Sequence, residues 1–149
     1  SNISGCYPCI EPIYKNLYVK SNMSGEFTVV NEYLIEDLKR LGLWNQTMLD
    51  ELKRTDGSVQ DITSIPPKIR SKYKTVFEIG SMWLIKTAAY RGKWIDQSQS
   101  LNIFFNGTSG KALSEVYMHA WHMGLKTTYY LRSLAATSVE KSTLDLNKA

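Results

Sequence analysis

The sequence has no long apolar run, no export signal and no basic block. No stretch approaches the roughly 20 apolar residues that a membrane helix requires. The first residues, SNISGCYPC, contain neither the basic nor the apolar part of a secretory signal. We therefore expect no membrane span and no export, and the cytoplasm is the default location.

Charge of one sign is not concentrated anywhere. The formal net charge is +4, but the basic residues are scattered along all 149 positions, as at Lys39, Lys53 and Lys86. A solvated basic surface explains this spread, so we do not expect nucleic-acid binding. Hydrophobic residues make up 43% and charged residues 21%, which is typical of one soluble globular domain.

Cysteine is scarce, and its context does not favour redox chemistry. Cys6 and Cys9 form C-Y-P-C, a spacing found in dithiol redox motifs. No apolar strand precedes the pair, and Pro8 and Pro12 disfavour the helix start that would lower a thiolate pKa. We interpret both as structural thiols, with a redox or metal role as the less favoured alternative.

Other polar and aromatic candidates also have ordinary explanations. His119 and His122 share one side of a predicted helix, but no carboxylate pair accompanies them, so we predict no metal site. Asp96 is predicted to accept hydrogen bonds near strand ends rather than to act in catalysis. Core or interface packing is the expected role of the four tryptophans, Trp44, Trp83, Trp94 and Trp121.

Local patterns predict alternating helices and strands. In the first half they predict two short strands (17–21 and 26–30), a helix after Asn31, a second helix from Asn45 to Arg54 and a helical turn starting at Pro67. In the second half they predict one long helix (73–92) with Phe77, Met82, Trp83 and Ala89 facing inward, an extended segment (93–105), a helix (109–124) and a strand (125–132).

The second half therefore reads as α/β layering, with helices packed outside parallel strands. Two or three strands separated by helices do not close a sheet. We predict that the chain is part of something larger.

Four collinear stretches resemble one known family: GEFTVVNEYLIEDLKRLGLWNQTML, YKTVFEIG, WIDQSQSLNIF and HMGLKTTYYLRS. Together they resemble the C-terminal third of the large catalytic subunit of class I ribonucleotide reductases. The resemblance covers nearly the whole chain, and the run from Ile95 to Ile103 is its most specific part.

The resemblance implies both a fold and an activity. The fold would be a ten-stranded α/β barrel built from two five-stranded halves, with residues 1–132 as its closing portion and 133–149 as a loose polar tail. The activity would be the reduction of ribonucleoside diphosphates to deoxyribonucleoside diphosphates by radical chemistry.

The adjacent Tyr129 and Tyr130 are the candidate site. As a dipeptide they favour ordinary packing in a strand. The resemblance instead implies that they relay a radical towards an active-site cysteine, with Tyr130 nearer to it. A phenol suits this role because losing an electron together with a proton leaves no buried charge. Side chains alternate along a strand, so the two rings can meet only at a strand end or where the pleat is irregular.

The resemblance also implies partners. The active-site cysteines and the nucleotide effector sites would lie upstream of Ser1, on another fragment, and Cys6 and Cys9 match none of the family's redox cysteines. The expected partners are that fragment, a radical-generating small subunit that carries the metal cofactor, a second large subunit and a nucleoside diphosphate. No cofactor is expected on this chain itself.

Two questions stay open at the level of sequence. The boundary at Ser1 is consistent with a split gene, an intein junction or a truncated sequence. The alternative function is a non-catalytic binding or scaffold module that retains the same fold.

Overall fold

The computed structural model describes residues 9–134, which form six helices and four strands. In chain order the elements are β1 (Leu17–Asn22), β2 (Gly25–Val30), α1 (Glu32–Arg40), α2 (Gln46–Arg54), α3 (Pro67–Lys72), α4 (Val76–Ile79), α5 (Ser81–Gly92), β3 (Ile103–Phe105), α6 (Gly110–His122) and β4 (Leu131–Ser133). We call residues 9–16 the leading segment, 17–75 the first region and 76–134 the second region.

The strands form two separate two-stranded sheets. β1 and β2 are an antiparallel hairpin in which Leu17 pairs with Val30. β3 and β4 are parallel, Ile103 pairs with Leu131, and α6 makes the crossover between them. This β-α-β unit confirms the predicted α/β class. Within residues 9–134 the strands close no barrel, and the ten-strand count remains a prediction.

Local signals account for the first region. Asn31 accepts a hydrogen bond from the Tyr33 N–H at 3.1 Å and begins α1, and Asn45 accepts from the Met48 N–H at 2.9 Å and begins α2. Both asparagines thus satisfy amide groups that a helix start leaves unpaired. The apolar faces of these helices meet in one core made of Leu17, Leu34, Leu38, Met48, Leu52, Val59, Ile62, Ile65 and Tyr73.

A buried amide ties this core to the leading segment. The side chain of Asn16 donates to the carbonyls of Gly57 at 3.2 Å and Tyr73 at 2.8 Å, and it accepts from the Asn31 amide at 3.0 Å. The backbone of Asn16 adds bonds to Gly57 and Asn31. Because an unpaired buried amide is costly, these bonds hold the leading segment, the α2 end and the α1 start together.

The long helix predicted over residues 73–92 is wrong. Gly80 has φ 86° and ψ 137°, which no helix accommodates, and it separates α4 from α5. The break resets the helical phase, so Met82 and Trp83 are exposed although they were predicted to face inward. Ile85 and Ala88 are buried in their place.

The second region has its own core, which packs α4, α5 and α6 against β3. The leading segment joins this core as well. The Val76 N–H donates to the Ile13 carbonyl at 2.9 Å, and the Tyr14 ring contacts Phe77 edge-on with centroids 5.4 Å apart. The leading segment therefore contacts both regions.

Two extended predictions were too long. In the segments 93–105 and 125–132 only the ends pair as β3 and β4. β4 includes Ser133, and the rest of the predicted tail, beyond Leu134, lies outside the described residues. No helix in the described part of the chain is long and apolar enough to cross a membrane.

Candidate functional site

Tyr129 and Tyr130 are in direct contact immediately before β4. Their ring centroids lie 4.1 Å apart with the planes tilted by 56°. The Tyr129 hydroxyl donates to the Tyr130 hydroxyl at 3.4 Å. Their exposed fractions are 59% and 54%, so neither ring belongs to a core. The packing role that the dipeptide favours is thus not what the structure shows.

The backbone explains how consecutive side chains can meet. The Tyr129 N–H donates to the Leu101 carbonyl at 2.9 Å, and the Tyr130 carbonyl accepts from the Ile103 N–H at 2.8 Å. In a regular parallel ladder a single residue opposite Asn102 would supply both the N–H bonded to Leu101 and the carbonyl bonded to Ile103. Here two residues lie opposite one, which is the arrangement of a β-bulge. The two rings thus meet just before the start of β4, where the pairing is irregular, as the alternation of side chains requires.

Asn102, opposite the bulge, is held from its other side by Glu11. The Asn102 backbone N–H donates to Glu11 Oε1 at 3.0 Å, and its side-chain amide lies 3.5 Å from Glu11 Oε2. Glu11 is buried, with 7% of its surface exposed. Burial raises the pKa of this carboxyl, but hydrogen bonds from Asn102 and Cys9 outweigh it, so the pKa is lowered and Glu11 is ionised at neutral pH.

One positively charged side chain lies beside the tyrosine pair. The Arg132 guanidinium lies 5.4 Å from the centre of the Tyr130 ring, within cation–π range. The hydrogen bond with Tyr130 raises the pKa of Tyr129, because it favours the protonated phenol. Tyr129 therefore carries its proton at neutral pH, as a phenol that transfers a hydrogen atom must.

The Asp96 loop is attached to the segment that leads into the tyrosines. The Lys126 ammonium donates to the Asp96 backbone carbonyl, and Gln99 is bound to the end of α5 through Ala88 and Arg91. A cavity of about 280 Å³ lies between this loop, the end of α5 and residues 123–127. The Asp96 side chain is exposed rather than buried, so the predicted carboxylate anchor is not observed.

The remaining candidates are dispersed. His122 contacts Trp121, with ring centroids 4.9 Å apart, and the described residues contain no cluster of three or more potential metal ligands. Burial raises the pKa of the Cys9 thiol, and the neighbouring Glu11 raises it further, which opposes formation of a reactive thiolate. Cys6 lies outside the described residues.

Comparison with known proteins shows to which family the chain belongs. Residues 1–131 match the model of the ribonucleotide reductase barrel domain. The chain belongs to the ribonucleotide reductase large-subunit family. It is 55% identical over 148 residues to the ribonucleoside-diphosphate reductase subunit alpha of Chlamydia trachomatis, a match that covers 99% of this chain and 14% of that protein.

More distant members of the ribonucleotide reductase family also match most of the chain. The Trypanosoma brucei brucei large subunit is 47% identical over 146 residues, covering 97% of this chain and 17% of that protein. The solved alpha subunit of the Actinobacillus ureae class Id ribonucleotide reductase is 32% identical, with a TM-score of 0.75 over 85% of this chain and 23% of that chain. This chain thus spans about one-sixth of its curated relatives.

Two residues around the tyrosines were missed from the sequence. Glu11 was not identified, although a carboxylate between Ile10 and Pro12 in an apolar context is a signal of a satisfied buried charge. Asn102 stands inside the specific run of the reductase resemblance, but nothing local indicates that it faces the tyrosines.

Proposed function

We propose that this chain is part of a class I ribonucleoside-diphosphate reductase large subunit, in which Tyr129 and Tyr130 relay a radical. The observation that carries the proposal is the hydroxyl contact between the two tyrosines at 3.4 Å. A hydrogen bond between two phenols provides a direct path along which a hydrogen atom can pass from one ring to the other. The substrate is a ribonucleoside diphosphate.

The transfer step between the tyrosines balances without a net charge. When Tyr129 is oxidised to the neutral radical by the small subunit, it lacks a proton and can only accept. The Tyr130 hydroxyl, which rotates freely, then donates its hydrogen atom. The O–H bond of Tyr130 breaks, that of Tyr129 forms, and the radical moves one residue inward. Neither ring is left charged, which avoids a costly buried ion once partners cover the pair.

The exposure of the pair bears on its partners. A tyrosyl radical in open water would react with solutes, so a working relay has to be covered during turnover. We propose that the small subunit covers Tyr129 and that an upstream fragment with the active-site cysteines lies beyond Tyr130. The large subunit would act as a dimer, as the family resemblance implies.

The test is to remove each hydroxyl separately. Tyr129→Phe and Tyr130→Phe keep the rings, so thermal unfolding of this chain should shift by about 1 kcal/mol or less. Deoxynucleotide formation by the complex of this chain, the upstream fragment and the small subunit should fall to background in both variants. Tyr90→Phe is the matched control, because Tyr90 is similarly exposed, at 57%, but lies outside the pair.

Each result bears on the proposal. Turnover near the parental rate in one Phe variant would remove that tyrosine from the relay. A parental complex that binds its partners but forms no deoxynucleotide would favour the scaffold alternative.

A further inference from the structure

The edge of β3 that faces away from β4 is satisfied by side chains. Glu11 accepts from the Asn102 N–H, and the Ser81 hydroxyl donates to the Phe104 carbonyl at 2.7 Å. These two backbone groups point away from β4, since Ile103 between them bonds to the Tyr130 carbonyl. In a wider sheet the same positions would pair with a neighbouring strand. In the described chain one carboxylate and one hydroxyl take that place.

The buried carboxylate of Glu11 is stable only if its oxygens accept hydrogen bonds. An ionised carboxylate at 7% exposure is costly unless its oxygens are bonded. Its two oxygens meet the backbone and the side chain of the same residue, Asn102. The Oδ1 of Asn102 is buried and has no partner among the described residues. Glu11 is therefore the anchor of the Asn102 side chain.

Asn102 is also the single residue that the bulge places opposite both tyrosines. The two hydrogen bonds that define the bulge involve the Leu101 carbonyl and the Ile103 N–H, which lie on either side of Asn102 in the sequence. A parallel pair can relieve a bulge by shifting one strand until one residue again faces one residue. A shift of this kind would send consecutive side chains to opposite faces and separate the hydroxyls. Fixing Asn102 from the far side opposes it.

We propose that Glu11 is a positioning residue that keeps the Tyr129 and Tyr130 hydroxyls in contact by clamping Asn102 opposite the bulge. Its effect on turnover rests on the proposed radical relay, whereas its effect on the geometry of the pair does not. The residue touches neither tyrosine, so it acts entirely through the β3 backbone.

Two conservative variants separate reach from charge. Glu11→Asp keeps the charge but shortens the side chain by one methylene, so it cannot span both Asn102 groups. Glu11→Gln loses the charge but keeps the length, and its amide can accept from the Asn102 N–H and donate to Oδ1 once that amide turns over. Ser81→Ala is the control, because it removes a hydrogen bond from the same edge of β3 two residues further on.

The first readout is independent of activity. 3-Fluorotyrosine is placed at position 129 of the full chain, and its titration is followed by fluorine NMR, with Tyr130→Phe marking the value without the hydroxyl contact. We expect Glu11→Asp to lower the pKa of residue 129 towards the Tyr130→Phe value. Glu11→Gln and Ser81→Ala should stay at the parental value, even where Ser81→Ala lowers the melting temperature as much as Glu11→Asp.

The second readout is turnover in the reconstituted complex. Glu11→Asp should lose up to about 100-fold, as expected for a reacting group displaced by about 1 Å, and Glu11→Gln should stay within a few-fold of the parent. A Glu11→Asp chain that titrates like the parent overturns the clamp, and so does a Glu11→Gln chain that titrates like Tyr130→Phe. If the titrations behave as expected but no variant, parent included, turns over, the relay fails and the clamp stands.

Discussion

The two regions of the molecule bury their tryptophans differently. In the first region Trp44 packs against the core, and the helix caps, together with buried Asn16 of the leading segment, satisfy polar backbone groups. In the second region Trp83, Trp94 and Trp121 are exposed by 59%, 85% and 69%. The first region, apart from its hairpin, closes its own core, whereas the second region leaves these three large apolar rings exposed.

This difference indicates which region of the molecule is covered in an assembly. Exposed apolar residues that form a contiguous patch are typical of surfaces covered in an assembly, and we expect the three rings to contribute to such a surface. The candidate tyrosine pair also lies in the second region, so the exposed tryptophans and the proposed relay belong to the same part of the molecule. We expect substitutions in the first region to change stability and those in the second to change association and turnover.

The largest expected effect is at Gly57 in the first region. Its φ is 82°, and a Cβ there would lie 2.8 Å from both the N and O of Leu17. Gly57→Ala should therefore cost about 2 to 4 kcal/mol of unfolding free energy, measured by urea denaturation. Gly42→Ala is the matched control: its φ is 66° but no atom lies within 4 Å, so about 1 kcal/mol is expected. Equal costs at both sites would show that the first region is not closely packed there.

A smaller effect is expected when exposed tryptophans of the second region are replaced by polar residues. Trp83→Ser with Trp94→Ser should weaken self-association of the chain by about tenfold or more, since each ring offers apolar area to a neighbour. Stability should change by no more than about 0.5 kcal/mol, because both side chains are exposed. Sedimentation over a concentration series measures the association, and Tyr33→Ser, exposed in the first region, is the control. A compact parental monomer at every concentration would contradict the prediction.

The smallest effect concerns acid stability in the first region. Asp37 accepts from Lys72 at 2.6 Å and from the Tyr73 hydroxyl at 2.7 Å. These bonds lower the pKa of the Asp37 carboxyl below its ordinary value of 3.8. The stabilisation is therefore complete above the ordinary pKa and is lost as the pH falls through the folded-state pKa.

Urea unfolding of the parent and of Asp37→Asn between about pH 6 and pH 2 tests this. The gap between the two proteins should be widest at the upper end and close as the pH falls. Asp50→Asn, which removes an exposed partner of Lys53, is the control for the loss of one surface carboxylate. A gap that widens towards low pH would show that Asp37 is not the stabilising carboxylate.

Local signals made the first region predictable. Asn31, Asn45 and Pro67 each begin a helix for a reason that lies within four residues of sequence. Gly80 was missed because an isolated glycine inside a helical pattern is compatible both with a continuous helix and with a break. The choice depends on how α4 and α5 pack, which no single window contains.

The candidate site was predictable only in part. The resemblance implied Tyr129 and Tyr130, and the alternation of side chains indicated that the rings could meet only at a strand end or at an irregular pleat. The bulge itself depends on Leu101 and Ile103, and Asn102 depends on Glu11. These pairings join segments far apart in sequence, and neither β-propensity nor a motif carries that information.

The separation between Glu11 and Asn102 has a consequence for the order of folding. The two residues are 91 positions apart, and the ends of such a long loop meet only after most of the intervening chain has condensed. The helices of the first region need only neighbouring contacts and can form early. We therefore expect the tyrosine contact to be among the last native features to form, so a nascent or partly folded chain would not present an assembled pair of phenols to an oxidant.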